Sequence, residues 1–221
     1  MLFDLRSRGR RRTVQVVYLG LALLMGGGLV LFGVGAGNGF GGILNAFTGN
    51  GSGSAQTQVV SQAEKNALRQ TKLSPNDPSG WSALVQARWT SAGQGGDYNA
   101  TTGVFTASGK KELLGATQAW QRYLQLTKSP DPNLAILAAR AYAGLGNYAD
   151  EASAWEIETT ANPSELKGYE CLAVSAYAAK QTRKGDLAAT KALSLVPKLQ
   201  RTTLKAEIEA AKTQPSVAQS C

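Results

Sequence analysis

Histidine is absent from the 221 residues, and cysteine occurs only twice. Without imidazole, the chain has no Ser-His-Asp or Cys-His nucleophile, no histidine-ligated zinc and no histidine pH switch. Two thiols are also too few for a four-cysteine metal site. Because the commonest hydrolase and metalloenzyme mechanisms are excluded, we predict that the protein is not an enzyme and binds no cofactor or metal.

Charge of either sign is missing from residues 13–63. Within that stretch, residues 14–36 are apolar or glycine, with Gln15 as the one strongly polar side chain. A helix of this length reaches roughly 34 Å, against a hydrocarbon core of about 30 Å. Arginines crowd the preceding residues 1–13, and basic residues favour the cytoplasmic side of a span. We therefore expect a single-pass plasma-membrane protein with a cytoplasmic basic N-terminus and an extracytoplasmic C-terminal domain.

Two properties of this apolar run stay open. Its basic flank and the small residues 34–36 also resemble a cleaved secretory signal, although the apolar core of such signals is only about 7 to 15 residues long. Gly33 and Gly37 have the small-xxx-small spacing of dimerising helices. Numerous glycines are equally typical of a loosely packed span, so the pattern does not decide whether the span dimerises.

After the span, the composition of the chain changes twice. Residues 37–58 are rich in glycine, serine and asparagine, which predicts a flexible linker. A helical domain is expected over 59–212, followed by a flexible tail at 213–221. The net charge is +8, but about half of it belongs to the N-terminal arginines, so the domain lacks the broad basic face of a nucleic-acid-binding protein.

The helical domain contains an internal repeat. Pro130, Pro163 and Pro197 are separated by 33 and 34 residues. Between the first two prolines, residues 133–143 and 149–161 have apolar side chains at helical spacing, and a glycine-containing turn separates them. The expected unit is helix, turn, helix and proline, and the domain is predicted to be all-α.

The stretch from Tyr142 to Pro163 resembles a tetratricopeptide repeat (TPR), with a tyrosine late in helix A, a glycine at the turn, an aromatic residue in helix B and a closing proline. Further matches are Trp81, Leu84, Val85, Ala116 and Trp120 in a first repeat, and Tyr169, Leu172, Ala173, Ala192 and Pro197 in a third. Glu151 and Gly185 depart from the family pattern. The resemblance implies a solenoid of helical hairpins, preceded by an unpaired helix at 61–75 and closed by a capping helix at 198–212.

Residues 91–110 form an insert that exceeds the repeat period within the first repeat. Glycines exclude a helix there, while Tyr98 and Phe105 are too apolar for a fully solvated segment. We predict a loop or small hairpin, followed by a helix that Thr106 or Ser108 caps. Partner binding, packing on the end of the solenoid and disorder are its three possible roles.

The two cysteines allow two interpretations. Cys171 lies within a predicted helix, so the first interpretation is a small buried residue. The alternative is a disulfide with Cys221, because the domain is expected outside the cytoplasm and the tail could swing back to it.

Four carboxylates occur close together in the second predicted repeat, at Asp150, Glu151, Glu156 and Glu158. They could supply a catalytic pair, but their spacing is more typical of a solvated helix face. We therefore predict that they face water.

The TPR resemblance implies a concave surface made by the A helices, where another protein would bind. The family's groove positions fall on Ser79, Ser82, Gln86, Trp89, Asn133, Ile136, Arg140, Lys167, Glu170, Val174 and Tyr177. This set does not reproduce the basic clamp with which some TPR proteins hold a terminal carboxylate. Trp89 and Tyr177 are the expected anchors, since large rings dominate interface energies. The alternative is that the insert covers Trp89 and the C-terminal helix covers Tyr177, which would make both rings part of the core.

The layout of the chain leads to two hypotheses for its function. The first is a membrane-anchored bacterial adaptor that binds other envelope or secretory proteins, a plan that resembles chaperone-like TPR proteins beside the protein-translocation channel. The second is a structural subunit of a cell-envelope complex, assembled through its span. In both, the partners are proteins and, through residues 14–36, the membrane; no nucleic acid and no small-molecule substrate are expected.

Overall fold

The computed structural model describes residues 53–221. The predicted N-terminus 1–13, the span 14–36 and residues 37–52 of the linker lie outside the described residues. Among the helices of residues 53–221, none is both long enough and apolar enough to cross a membrane. Helices account for 78% of the described residues, so the predicted all-α class is confirmed at that level.

Eight α-helices follow one another along the described chain. They are α1 Gly53–Leu73, α2 Pro78–Ala92, α3 Ala107–Leu126, α4 Pro132–Leu145, α5 Tyr148–Ala161, α6 Leu166–Ala178, α7 Thr182–Leu195 and α8 Arg201–Ala210. Two short strands, β1 Tyr98–Asn99 and β2 Val104–Phe105, pair antiparallel between α2 and α3. Short 3-10 helices occupy Gly95–Asp97, Lys198–Gln200 and Pro215–Ser220.

Aspartate followed by proline begins both α2 and α4. The side chain of Asp77 accepts a hydrogen bond from the amide of Ser79 at 2.9 Å. Asp131 accepts one from the amide of Asn133 at 2.8 Å. The following proline sits in the first helical turn, where an N–H has no partner within the helix, so these two residue types fix where each helix starts.

The helices of the second and third pairs begin 34 residues apart, one for one. The first helices of the two pairs begin at Pro132 and Leu166, and the second helices begin at Tyr148 and Thr182. Each helix packs mainly on its neighbours in sequence. The pair α2 and α3 has the same order, with the hairpin inserted between its two helices.

The turns inside the second and third pairs also match. Gly146 follows α4 with a φ of 72°, and Lys180 follows α6 with a φ of 61°. In both turns the amide of this residue donates to the carbonyl three residues earlier, and the next amide donates to the carbonyl five residues before it. A left-handed residue with these two hydrogen bonds is a common way for a helix to end.

One continuous core runs through the described helices. Trp120 of α3 and Trp155 of α5 are each 2% exposed and belong to the same cluster of buried side chains. Fully buried alanines, among them Ala138 and Ala152, allow adjacent helices to approach closely. The core therefore combines a few large rings with many small residues.

The C-terminal segment, residues 213–221, is folded, whereas the sequence predicted a flexible tail. We call this segment the C-terminal strap. Its 3-10 turn packs on α6 and α4, and Ala218 is fully buried. A disulfide joins Cys221 to Cys171 of α6, with the two Cα atoms 5.5 Å apart. Cys171 is buried, as the first interpretation expected, and the disulfide with Cys221 that the alternative interpretation offered is present.

The other boundary differences are small. Helix α1 begins at Gly53, inside the predicted linker 37–58, and ends two residues before the predicted limit at 75. The predicted helix 198–212 is divided into a 3-10 turn and α8. Propensity and periodicity locate a helix but leave its ends uncertain by a few residues.

Candidate binding cleft

A cleft of about 470 Å³ lies beside the second half of α4. Its walls come from the end of α2, the hairpin, the first turn of α3, α4 itself and the C-terminal strap. The chemically distinctive side chains that line it are Trp89, Tyr98, Phe105, Lys110 and Arg140. No aspartate or glutamate is among its lining residues. The volume is within the range typical of ligand-binding sites.

Phe105 holds the hairpin against the helices. Its ring centroid lies 4.9 Å from that of Tyr98 and 6.3 Å from that of Trp89. Gly144 of α4 makes this packing possible, because a Cβ at that position would approach the Phe105 ring to 3.0 Å. The predicted hairpin is therefore present, and it forms an aromatic wall of the cleft.

The first turn of α3 fixes the position of Lys110. Thr106 caps this helix by accepting a hydrogen bond from the amide of Gly109 at 3.3 Å, as the sequence predicted. The amide of Thr106 in turn donates to the carbonyl of Asp97 at 2.9 Å. Gly109 is pressed against the same carbonyl, where any side chain would overlap it. The hairpin and the start of α3 therefore hold one another in place.

Two cations border the cleft, and neither has an aspartate or glutamate partner among residues 53–221. The Nε atom of Arg140 donates to the backbone oxygen of Cys221 at 3.1 Å, and Lys110 is exposed. In the part of the chain that the structure describes, neither side chain takes part in an ion pair. Arg88 of α2, by contrast, pairs with Glu64 and Glu112. The cleft therefore holds two cationic side chains and no acidic side chain.

The structure brings two of the predicted groove residues, Trp89 and Arg140, into this one cleft. Val174 and Tyr177 are each only 4% exposed, so their side chains belong to the core. The hydroxyl of Tyr177 donates to Asp186 at 2.7 Å, and the ammonium of Lys212 lies 4.4 Å from the centre of its ring. Tyr177 thus differs from the exposed anchor expected of it, because residues near the C-terminus cover it.

The remaining predicted groove residues do not line the cleft. Ser82 and Gln86 are half-buried on α2, and Ile136 packs against the core. Lys167 and Glu170 form an ion pair with each other at 3.1 Å. Ser79 and Asn133 are exposed near the starts of α2 and α4.

Sequence reasoning did not assign Lys110 or the C-terminal strap to the site. The aromatic residues of the glycine-rich insert indicated that the hairpin packs against the rest of the domain. No local signal identified the strap, since Arg140 and Cys221 are 81 residues apart in the chain.

Two of the carboxylates predicted to face water are buried instead. Glu151 is 0% exposed and Glu158 is 2% exposed. Glu151 accepts a hydrogen bond from the indole of Trp155 at 3.4 Å, and burial raises its pKa to about 8. Burial also raises the pKa of Glu158, whose carboxylate occupies the space that Gly168 leaves free. The prediction of a solvated face is therefore wrong for these two residues.

Within residues 53–221, no three cysteine, aspartate or glutamate side chains gather in an arrangement that could hold a metal ion. No protein-family model matches the chain, and no curated protein or solved structure matches it either. The function proposed below is therefore inferred from the residues and their geometry.

Proposed function

We propose that the protein is a noncatalytic, membrane-anchored adaptor whose TPR-like domain binds segments of other envelope or secretory proteins outside the cytoplasm. The observation that carries this proposal is the cleft, in which aromatic side chains of α2 and the hairpin lie beside Lys110 and Arg140, with no acidic side chain in the lining. Aromatic residues and arginine are the side chains that most often dominate protein interfaces.

The TPR-like arrangement is supported by the two helix pairs displaced by 34 residues. That displacement equals the repeat length of the family. The turns at Gly146 and Lys180 also contain the same two hydrogen bonds, so the two pairs of this chain resemble each other in detail. The hairpin would then be an insertion into the first repeat, which adds a wall that the repeat itself does not supply.

The extracytoplasmic location is supported by the bond between Cys171 and Cys221. Disulfides persist in oxidising compartments and are rare in the cytosol. The basic N-terminus and the apolar run 14–36 favour the same location by an independent argument.

Site-specific photocrosslinking in the native cell tests the adaptor function. A photoreactive phenylalanine analogue replaces Val104, which lines the cleft and is 54% exposed. The matched control places the same analogue at Leu199, which is 95% exposed and does not line the cleft. We expect crosslinks from position 104 to many different newly exported chains, and their loss when protein synthesis is blocked.

A different crosslinking pattern would favour the structural-subunit alternative. Position 104 would then give a few products of fixed size, unaffected by the block in synthesis, and the same proteins would co-purify in constant ratio. Equal crosslinking from positions 104 and 199 would contradict a role for the cleft.

A further inference from the structure

The aromatic side of the cleft provides a surface for a planar apolar group. The Phe105 ring is tilted against two others, with its centroid 4.9 Å from that of Tyr98 and 6.3 Å from that of Trp89, and each of the three residues is only partly buried. Val104 beside them is 54% exposed. Such a cluster of incompletely covered rings gains free energy when another ring packs on it.

The cations on the other side of the cleft favour a ligand that carries negative charge next to its aromatic group. Lys110 and Arg140 line the cleft, and no aspartate or glutamate does. Unlike Arg88 of α2, neither cation is paired with an aspartate or glutamate within residues 53–221. A ligand with carboxylates beside its aromatic group would supply the missing counter-charges.

The C-terminal strap shows that peptide backbone packs along one side of the cleft. Gln219, Ser220 and Cys221 form one of its walls, and Arg140 already donates to a backbone oxygen of that segment. Peptide backbone therefore lies against α4 at the edge of the open volume. A bound peptide that runs alongside this wall would place an apolar side chain against the rings and acidic side chains near the cations.

We propose that the cleft binds a peptide segment in which an aromatic residue is flanked by acidic residues. The inference rests on the proposed adaptor function and names the class of segment that the adaptor recognises. Lys110 and Arg140 bind the acidic side chains, while Trp89, Tyr98 and Phe105 pack on the aromatic one.

Fluorescence anisotropy with labelled peptides tests this specificity. The probe is a fluorescein-labelled peptide with the centre Asp-Phe-Glu, titrated with the full chain in nonionic detergent at low salt. One comparison peptide has the centre Lys-Phe-Lys and another has Asp-Ala-Glu. We expect each comparison peptide to bind about tenfold more weakly or worse, because it lacks either the charges or the ring. We also expect binding of the probe to weaken as salt is added.

Two neighbouring lysines provide a matched pair of variants. Lys110 lines the cleft, whereas Lys111 is exposed and does not. We expect Lys110→Gln to weaken the Asp-Phe-Glu peptide about three- to tenfold and Lys111→Gln to leave its affinity within twofold, with both melting temperatures unchanged.

Three results would overturn the proposal. They are equal effects of the two lysine variants, equal affinity for the Lys-Phe-Lys peptide, and competition by free N-acetylphenylalanine at the same concentration as the peptide. The last would indicate a small-molecule site. Each of them is distinct from a failure of the adaptor function, because crosslinks from Val104 to exported chains would persist if only the preferred sequence were different.

Discussion

Glu151 is a buried carboxylate, and one of its oxygens has no hydrogen-bond partner. Burial raises its pKa in the folded protein from 4.5 to about 8, so the folded state holds the proton more tightly than the unfolded chain. The stability that this proton contributes is fully present below pH 4.5 and is lost as the pH rises through about 8. The residue therefore makes the fold less stable in alkaline solution.

We predict that Glu151→Gln stabilises the protein above pH 8 by about 1 to 3 kcal/mol, because the neutral amide avoids the desolvation cost of an ionised carboxylate at this buried position. Urea unfolding between about pH 5 and pH 9 measures the effect. The variant should show a flatter dependence of unfolding free energy on pH than the parent. Glu207→Gln, at an exposed position of α8, is the control and should leave the parent curve unchanged. Parallel curves for Glu151→Gln and the parent would contradict the assignment.

Lys180 is the one non-glycine residue of the described chain with a positive φ. Its counterpart in the preceding repeat, Gly146, adopts nearly the same backbone angle without the steric cost of a Cβ. We predict that Lys180→Gly raises the free energy of unfolding by up to about 1 kcal/mol, whereas Gly146→Lys lowers it by about the same amount. Thermal unfolding of the two variants checks this, and a loss of stability in Lys180→Gly would show that the lysine side chain outweighs the backbone cost.

At the scale of elements, the C-terminal strap depends on the bond between Cys221 and Cys171. The two residues are separated by 50 positions, and closing a loop of that length stabilises a fold by about 4 kcal/mol in the chain-entropy account. Measured values are commonly about 2 to 4 kcal/mol, because the reduced chain keeps some structure.

We predict that the double variant Cys171→Ala, Cys221→Ser lowers the free energy of unfolding by about 2 to 4 kcal/mol. Urea unfolding with and without dithiothreitol measures it. The reductant should bring the parent protein to the stability of the variant and leave the variant itself unaffected. A parent protein that is equally stable with its thiols reduced would contradict a stabilising role for the strap.

The helices were predictable because their signals are local. Regular spacing of apolar residues, the turn at Gly146 and the glycines of the insert each act within a few positions. The cleft was only half predictable, since it depends on a contact between Arg140 and Cys221 that no periodicity encodes. The buried face of α5 was visible in principle, because Glu151, Trp155 and Glu158 recur at i, i+4 and i+7. The charge of the two glutamates suggested that they face solvent. Their spacing, however, places them on the same helix face as the buried Trp155.

At the scale of the whole molecule, the predicted topology is open to direct measurement. We expect a protease added to intact spheroplasts to degrade residues 53–221 and to leave an epitope tag at the N-terminus protected. Lysis of the spheroplasts is the control and should expose the tag to the same protease. Recovery of a soluble product beginning near residue 37 would favour the cleaved signal and contradict the membrane anchor.

The disulfide can form only late in the synthesis and folding of the chain. Cys171 lies in α6, while its partner follows every helix in the sequence. During synthesis from the N-terminus, α2 to α7 can assemble before residue 221 exists, and Cys171 cannot form its bond to Cys221 in that interval. One wall of the cleft is missing until the last helix has emerged and the strap has folded back. A chain that contains this disulfide has therefore been synthesised to residue 221 and has folded.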